Sequence, residues 1–412
     1  MSHLQGFLQS KFGFLIFFAI VLLPFSGLIA QVESDERPLE ISPNGINFNK
    51  DSVFHMTLRF RMQNRFGYLS TLDGVNEAGF EASVRRLRLR LDGFVLNRKI
   101  GYYIQLSFSR SDQDLVSGTV AQTVRDAMVY YNFNKNFYIG FGQSKLPGNR
   151  ERVISSGNLQ FPDRSIANTT YTLDRDFGFF AYKTFELGGD KNPILQLKGT
   201  ITGGEGRGQV FTSGLAYTGR VEWLPMGAFK NLGDYTEGDL EFEKKPKLSV
   251  ATGYSFNDGT TRVGGQLGST LPSPVDMGTW ISDMMFKYAG WGVLGEYFFR
   301  EVSNYTYDGT NNLALDRVPR GNGFNLHVSR MLAKKHEVAF RFAGVNPKEE
   351  FEKYQYRWRT KAIEYNYYLN KHRVKFQYYF GLDDRYNPQT VPGALHNFEN
   401  RIYTMVQVEL GI

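Results

Sequence analysis

The stretch Phe54-His55-Met56-Thr57-Leu58-Arg59-Phe60-Arg61-Met62-Gln63 alternates without a break. Its even positions are apolar and its odd positions polar. A helix needs apolar residues three and four apart, so this period of two predicts a strand with one oily and one wet face. The pattern recurs downstream. Leu87, Leu89, Leu91 and Val95 alternate with Arg86, Arg88, Arg90 and Asp92. Ile104, Leu106 and Phe108 alternate with Gln105, Ser107 and Ser109, and Val374, Phe376, Tyr378 and Phe380 with Arg373, Lys375 and Gln377. The chain ends on Ile402, Val406, Val408, Leu410 and Ile412 set against Gln407 and Glu409.

Sixteen such segments are expected, at about 53–64, 84–96, 100–110, 124–133, 137–145, 176–187, 194–203, 214–224, 248–256, 280–288, 291–300, 323–332, 336–344, 358–369, 372–382 and 401–412. Segments 176–187 and 323–332 alternate poorly. Short connections such as Asn97-Arg98-Lys99, Asn134-Lys135-Asn136 and Ala289-Gly290 take turns with long ones, including 65–83, 146–175 and 257–279. One connection, 225–247, is long where a short one is due. Tight turns on one rim and loops on the other are the signature of an up-and-down barrel.

The wet faces carry Arg59, Arg61, Arg86, Arg88, Arg90, Arg373 and Lys375, which no soluble barrel core would hold. A ring of sixteen strands is also too wide for side chains to fill. The expectation is therefore an all-β, 16-stranded antiparallel transmembrane barrel with short periplasmic turns, long extracellular loops and a wet lumen. Composition agrees. Mean hydropathy is −0.36 although aromatics make up 15% of residues, as expected where half of each strand faces water and aromatic girdles mark the membrane surfaces. Trp223, Trp280 and Trp291 are candidates for those girdles.

Residues 1–30 read as a cleaved export signal: Lys11, then an almost wholly apolar run from Phe12 to Phe25, then Ala30 as the cleavage residue. Residues 31–52 read as a polar periplasmic lead-in and 53–412 as the barrel. Lys11 is the only base in the signal and no acid lies there, so the total of 48 bases and 41 acids becomes 47 and 41, a net +6. After residue 30 no apolar run is long enough for a membrane helix. The absence of cysteine excludes a disulfide scaffold, a thiol enzyme and a zinc finger. Gly203–Gly208 lacks the residues of a phosphate-binding loop, and Asp308–Asp316 lacks the spacing of a calcium loop. No catalytic set, metal site, cofactor or nucleic-acid partner is nominated; the chain is expected not to be an enzyme.

Two stretches carry a family resemblance. Ser83-Val-Arg-Arg-Leu-Arg-Leu-Arg-Leu-Asp-Gly93 is one. The other joins Gly-Gln-Ser-Lys-Leu-Pro at 142–147, Asp-Arg-Ser at 163–165 and Arg-Asp-Phe-Gly at 175–178. In order and spacing they resemble the phosphate-selective porin O and P family of bacterial outer membranes, in the form common in Bacteroidetes. Ser144, where family members often carry Phe, and the terminal Ile412 in place of an aromatic depart from the pattern.

The resemblance implies a homotrimeric porin in the outer-membrane lipid. Its third loop, here 146–175, would fold into the lumen as a constriction, and it would take up phosphate or polyphosphate passively. By motif it brings Lys145, Arg164 and Arg175 to the third-loop region and Arg86, Arg88 and Arg90 to the lumen wall. With Arg59, Arg61, Arg373 and Lys375 these form the candidate anion path, since planar guanidinium forks suit phosphate oxygens. Same-face residues lie about 6.6–6.8 Å apart along a strand, a spacing that suits stepwise transfer. Asp92, Asp126, Glu222, Glu296 and Glu364 share the wet face and offset this charge. Two alternatives stay open: a general-diffusion porin without phosphate selectivity, and a plugged barrel acting as enzyme or adhesin.

Overall fold

The computed structural model describes residues 39–42, 45–72, 79–109, 123–189, 191–207, 214–304, 313–316, 318–352, 354–386 and 398–412. The expected export signal and most of Asp308–Asp316 lie outside the described residues. The chain forms β1 (Leu39–Ser42), β2 (Gly45–Lys50), β3 (Phe54–Thr71), β4 (Gly79–Val95), β5 (Ile100–Ser107), β6 (Val124–Asn134), β7 (Phe137–Lys145), β8 (Arg175–Glu186), β9 (Ile194–Thr202), β10 (Ala216–Leu224), β11 (Lys247–Arg262), β12 (Thr270–Tyr288), β13 (Trp291–Ser303), β14 (Gly321–Ala333), β15 (His336–Pro347), β16 (Arg357–Asn370), β17 (Val374–Tyr386) and β18 (Phe398–Gly411).

Strands β3 to β18 correspond one for one to the sixteen expected segments. Each pairs antiparallel with the next, and β18 closes on β3 from Gly411↔Arg61 to Arg401↔Thr71. Closure leaves no open strand edge in hydrocarbon, where each unpaired backbone group would cost several kcal/mol. β3 extends to Thr71 and β12 starts at Thr270, well beyond the alternating segments. At 18 and 19 residues these strands exceed the roughly 9–11 that a tilted strand needs to span a bilayer, so alternation is not required along their whole length.

β18 ends level with Phe60, whose carbonyl accepts from Ile412 N at 3.1 Å. Below that point β3 would present a bare edge. The lead-in fills it: β1 and β2 form a hairpin, and β2 pairs with β3 from Ile46↔Leu58 to Lys50↔Phe54.

The two faces separate as the alternation requires. Trp223, Trp280 and Trp291 point outward and are 47%, 54% and 47% exposed. Phe141, Phe340, Tyr378 and Val408 share that outer surface. The poor alternation of segment 176–187 has a cause. Phe180 of β8 faces inward yet is buried, packing with Ile281, Phe298 and Val345 against Leu146, Ala167, Tyr171 and Leu173 of the connection after β7.

Two motif glycines are sites of close backbone approach. A Cβ on Gly93 would stand 1.8 Å from the His55 carbonyl oxygen. At Gly142, with φ of +136°, it would stand 2.2 Å from that of Ala127. Gly142→Ala is therefore expected to destabilise the barrel by about 1–3 kcal/mol, lowering the temperature at which the folded band disappears from a heat-modifiability gel. Gly199→Ala, where no atom lies within 4 Å of the added carbon, should leave that temperature unchanged.

Candidate functional site

Residues 146–174, between β7 and β8, enter the ring. They hold two short helices, α1 (Arg150–Val153) and α2 (Ile166–Tyr171); the second is capped by the Ser165 hydroxyl, which accepts from Asn168 N. Apolar contacts fasten the segment to the inner wall. Besides the Phe180 cluster, Ile154 and Leu159 pack with Leu224, Phe229, Met285 and Leu294. Charge fastens it further. Arg150, wholly buried, lies 2.5 Å from Glu222 and 2.8 Å from Asp283. Burial opposes its charge, but Asp283 and Glu222 outweigh burial and hold it more firmly protonated than usual. Glu151 accepts from Ser165 N, Ser165 Oγ and, at 2.9 Å, Arg341. Asp163 reaches Arg65 at 2.7 Å, Arg85 at 2.9 Å and Arg86 at 3.4 Å. Burial alone would raise its carboxyl; these three guanidiniums hold it well below the carboxylate range.

A second segment enters from the periplasmic rim. Residues 225–247, the one long connection on the short side, turn inward at a 3-10 stretch over Lys230–Tyr235. There Asp234 and Tyr235 offer carbonyls to Arg150 and Asn158, and Glu237 accepts from Gln160 N at 2.7 Å. Lys287 and His372 bond the carbonyls of Thr236 and Glu237. The two segments thus meet inside the lumen against the wall of β10 to β17. Burial, reinforced by Glu151, pushes the Glu237 carboxyl up from 4.5 to about 7 despite Arg341 and Arg164.

Opposite that filled half lies a cavity of about 770 Å³ beside β4 to β7. Its lining holds ten bases, Arg85, Arg86, Arg88, Arg90, Arg125, Lys145, Arg152, Arg164, Arg175 and Arg207, against three acids, Asp126, Asp163 and Asp174. Each acid is engaged: Asp126 with Arg175 at 2.9 Å, Asp163 with the trio above, and Asp174 with Arg152 and Arg175. The positive groups crowd one another. Burial and then the neighbouring Arg164, Arg175, Arg125 and Arg88 push Arg152 well below the usual arginine value. Burial, partly offset by Glu151, brings Arg164 to about 10. An entering anion relieves this repulsion.

Six of the ten residues expected along the path, Arg86, Arg88, Arg90, Lys145, Arg164 and Arg175, line this cavity together. The other four lie elsewhere. Arg59 pairs with Asp92. Arg61 donates to Ser155 and Ser156, holding the inserted loop. Arg373 sits in the turn before β17. Lys375 is buried behind the loop, 2.6 Å from the Leu159 carbonyl and 3.4 Å from Glu409. At Arg61 and Lys375 the loop intervenes between strand and cavity, which alternation alone does not reveal.

Four further basic lining residues are not among the ten expected along the path. Arg152 and Arg207 come from connections, Arg207 from the glycine-rich stretch at 203–208. Arg85 and Arg125 come from β-bulges. Pairing jumps from Gln63↔Arg86 to Asn64↔Val84, and from Gln105↔Asp126 to Leu106↔Val124, so each arginine is the extra residue. By parity both would face lipid; the bulge turns each inward. An arginine interrupting the apolar parity of a strand was the available signal.

Among the described residues, Glu151, Glu237 and His327 come together as a potential metal grouping. The donor set does not fit an ion. His327 Nε2 accepts from Arg341 Nε at 2.7 Å, so Nδ1 carries the ring proton and has no free lone pair.

A closed sixteen-stranded ring with an oily exterior and a charged interior defines an outer-membrane protein of the porin class. Within that class the resemblance to the phosphate-selective porin O and P family is shown directly, since the model of that family matches residues 56–233. No curated protein matches the chain. Among solved structures, the anion-selective porin from Comamonas acidovorans superposes with a TM-score of 0.57 at 13% identity, over 87% of this chain and 99% of that one. The outer membrane channel DcaP of Acinetobacter baumannii gives 0.51 at 11%, over 86% and 97%. OmpT of Vibrio cholerae gives 0.51 at 8%, over 88% and 99%. At such identities the likeness is one of fold.

Two outcomes follow from the packing of the inserted segments. Arg150→Ala strands Glu222 and Asp283 among fewer cations. It is expected to cost about 3–5 kcal/mol and to raise single-channel conductance as the loop loosens; unchanged conductance would show that this ion pair does not hold the lumen's width. Glu237 has its folded value raised above the ordinary one, so the folded state favours its protonated form. That stabilisation is complete below about 4.5 and is lost as pH rises through about 7. Thermal unfolding in detergent, followed by circular dichroism, should therefore fall by about 1–3 kcal/mol between pH 5 and pH 8, and Glu237→Gln should flatten the fall.

Proposed function

We propose that the chain is a passive, anion-preferring pore of the outer membrane that favours phosphate or polyphosphate and works as a homotrimer after export through a cleaved signal at 1–30. The observation that carries this reading is the lining of the 770 Å³ cavity, ten bases against three acids that are already engaged. Arg86, Arg88, Arg90, Lys145, Arg164 and Arg175 are the proposed steps of the path, joined by Arg85, Arg125, Arg152 and Arg207. The loop 146–175 is the proposed constriction, since its Arg152 and Arg164 contribute to the lining. In a wet lumen a pair of unit charges at 4 Å attracts by about 1–4 kcal/mol. That is enough to concentrate an anion and weak enough to release it. The trimer is supported by the family resemblance and by the fold shared with OmpT of Vibrio cholerae, one of whose structures is described as the trimer form.

Planar-bilayer recording tests the reading. Purified protein should give stable channels whose reversal potential in a chloride gradient reports anion preference, and this preference should weaken as salt rises. Added phosphate should block the chloride current. Arg88→Ala and Arg125→Ala should each weaken that block by roughly fivefold, equivalent to about 1 kcal/mol. Cation preference would overturn the proposal. Anion preference without phosphate block would reduce it to a general-diffusion pore.

A further inference from the structure

Below Lys145 the lumen changes character. A second cavity, of about 390 Å³, shares Ser144, Lys145 and Val153 with the basic one, so the two meet at this level. Its wall offers rings. Tyr138 and Tyr182 stand directly opposite each other on β7 and β8, with ring centroids 5.1 Å apart at 51°. Tyr130 of β6, outside the cavity's lining, packs its ring 5.8 Å from that of Tyr138. Tyr235, carried in on the periplasmic segment, faces them across Lys198, whose Nζ lies 5.9 Å from the Tyr182 ring and 4.9 Å from that of Tyr235.

The lining holds four lysines, of which Lys198 and Lys135 are paired with acids behind it, Lys183 stands over the Phe137 and Phe185 rings and Lys145 sits at the join. Lys198 lies 3.0 Å from Glu222, and Lys135 lies 3.2 Å from Glu186. The lining also supplies the amides of Asn136 and Gln196 and the hydroxyl of Thr184. Inorganic phosphate has no weakly polar face and gains nothing from such a shelf. A sugar ring does: its C–H face packs on aromatic faces and its hydroxyls meet amides and hydroxyls. Lys145 sits at the join. Its ammonium donates to the carbonyls of Val153 at 3.2 Å and Ile154 at 3.1 Å. Of its three donors one remains for a phosphoryl oxygen.

We propose that the pore's preferred solute is a sugar phosphate, its phosphoryl group held at Lys145 and the arginines above and its ring laid on Tyr138 and Tyr182. This rests on the anion-conducting reading and narrows its substrate class. Full-length protein in planar bilayers decides it at pH 8, where inorganic phosphate and glucose 6-phosphate both carry about two charges. Glucose 6-phosphate should block the chloride current at a concentration about three- to tenfold lower than inorganic phosphate, the gain expected from one or two ring contacts, and glucose alone should block far less than either anion. Tyr138→Ser and Tyr182→Ser, made singly, should each erode that advantage and leave the block by inorganic phosphate unchanged. Equal or weaker block by glucose 6-phosphate in the unaltered protein overturns the proposal, whatever the variants do. An advantage that survives both substitutions removes the tyrosines from it and overturns it equally. Cation selectivity overturns instead the anion reading on which it rests, and block by neither anion overturns the sugar-phosphate proposal while reducing that reading to a general-diffusion pore.

Discussion

A backbone in hydrocarbon has no water to bond, so every strand must find two partners and the sheet must return to its first strand. From that constraint the rest of this molecule follows. Closing sixteen strands makes a ring too wide for its own side chains to fill, and the ring must then be narrowed by chain that is not part of the wall. Two segments do so, from opposite rims. The extracellular one, 146–174, brings Leu146, Ile154, Leu159, Tyr171 and Leu173 to inward apolar residues of the wall. The periplasmic one, 225–247, meets it through Asp234, Tyr235 and Glu237. The closing pair β18–β3 obeys the same constraint at smaller scale, for β2 takes over the edge of β3 where β18 ends.

Filling one half of the lumen decides where the charges end up. On the filled side acids and bases face one another at short range, as Arg150 and Arg220 do with Asp283 and Glu222, and so contribute to holding the loop rather than to an open path. On the open side the bases outnumber the acids. The excess is a property of placement: a chain whose formal charge is only +7 over 412 residues gathers ten bases around one cavity. Two are delivered by bulges, a device that adds an inward side chain without adding a strand.

Much of the fold was legible. Period-two alternation depends only on neighbours along the chain, so Phe54–Gln63 announces its two faces before any partner is known, and the taking of turns between short and long connections orders the strands. The site was legible in part. Arg86, Arg88 and Arg90 obey parity and reach the cavity. Arg85 and Arg125 reach it by breaking parity, and Lys375 obeys parity yet lies behind the loop, because parity reports the inner face without reporting what covers it. The irregularities carried information of their own. The weak alternation at Phe180 marks where a loop packs, and the overlong connection 225–247 marks the second inserted segment.

By itself the sequence determined the strand count, the direction of each face and the need for closure, because these rest on local periodicity and on the refusal of lipid to bond a backbone. Only the tertiary structure decided which half of the lumen is filled, which arginines share a cavity and where tyrosines from β6, β7, β8 and the periplasmic segment converge. Those outcomes depend on contacts between residues far apart in the chain, such as Arg341 with Glu151 or Lys375 with Leu159. No local pattern encodes them, since any inward residue can meet water, a loop or a charge with equal regard for its parity.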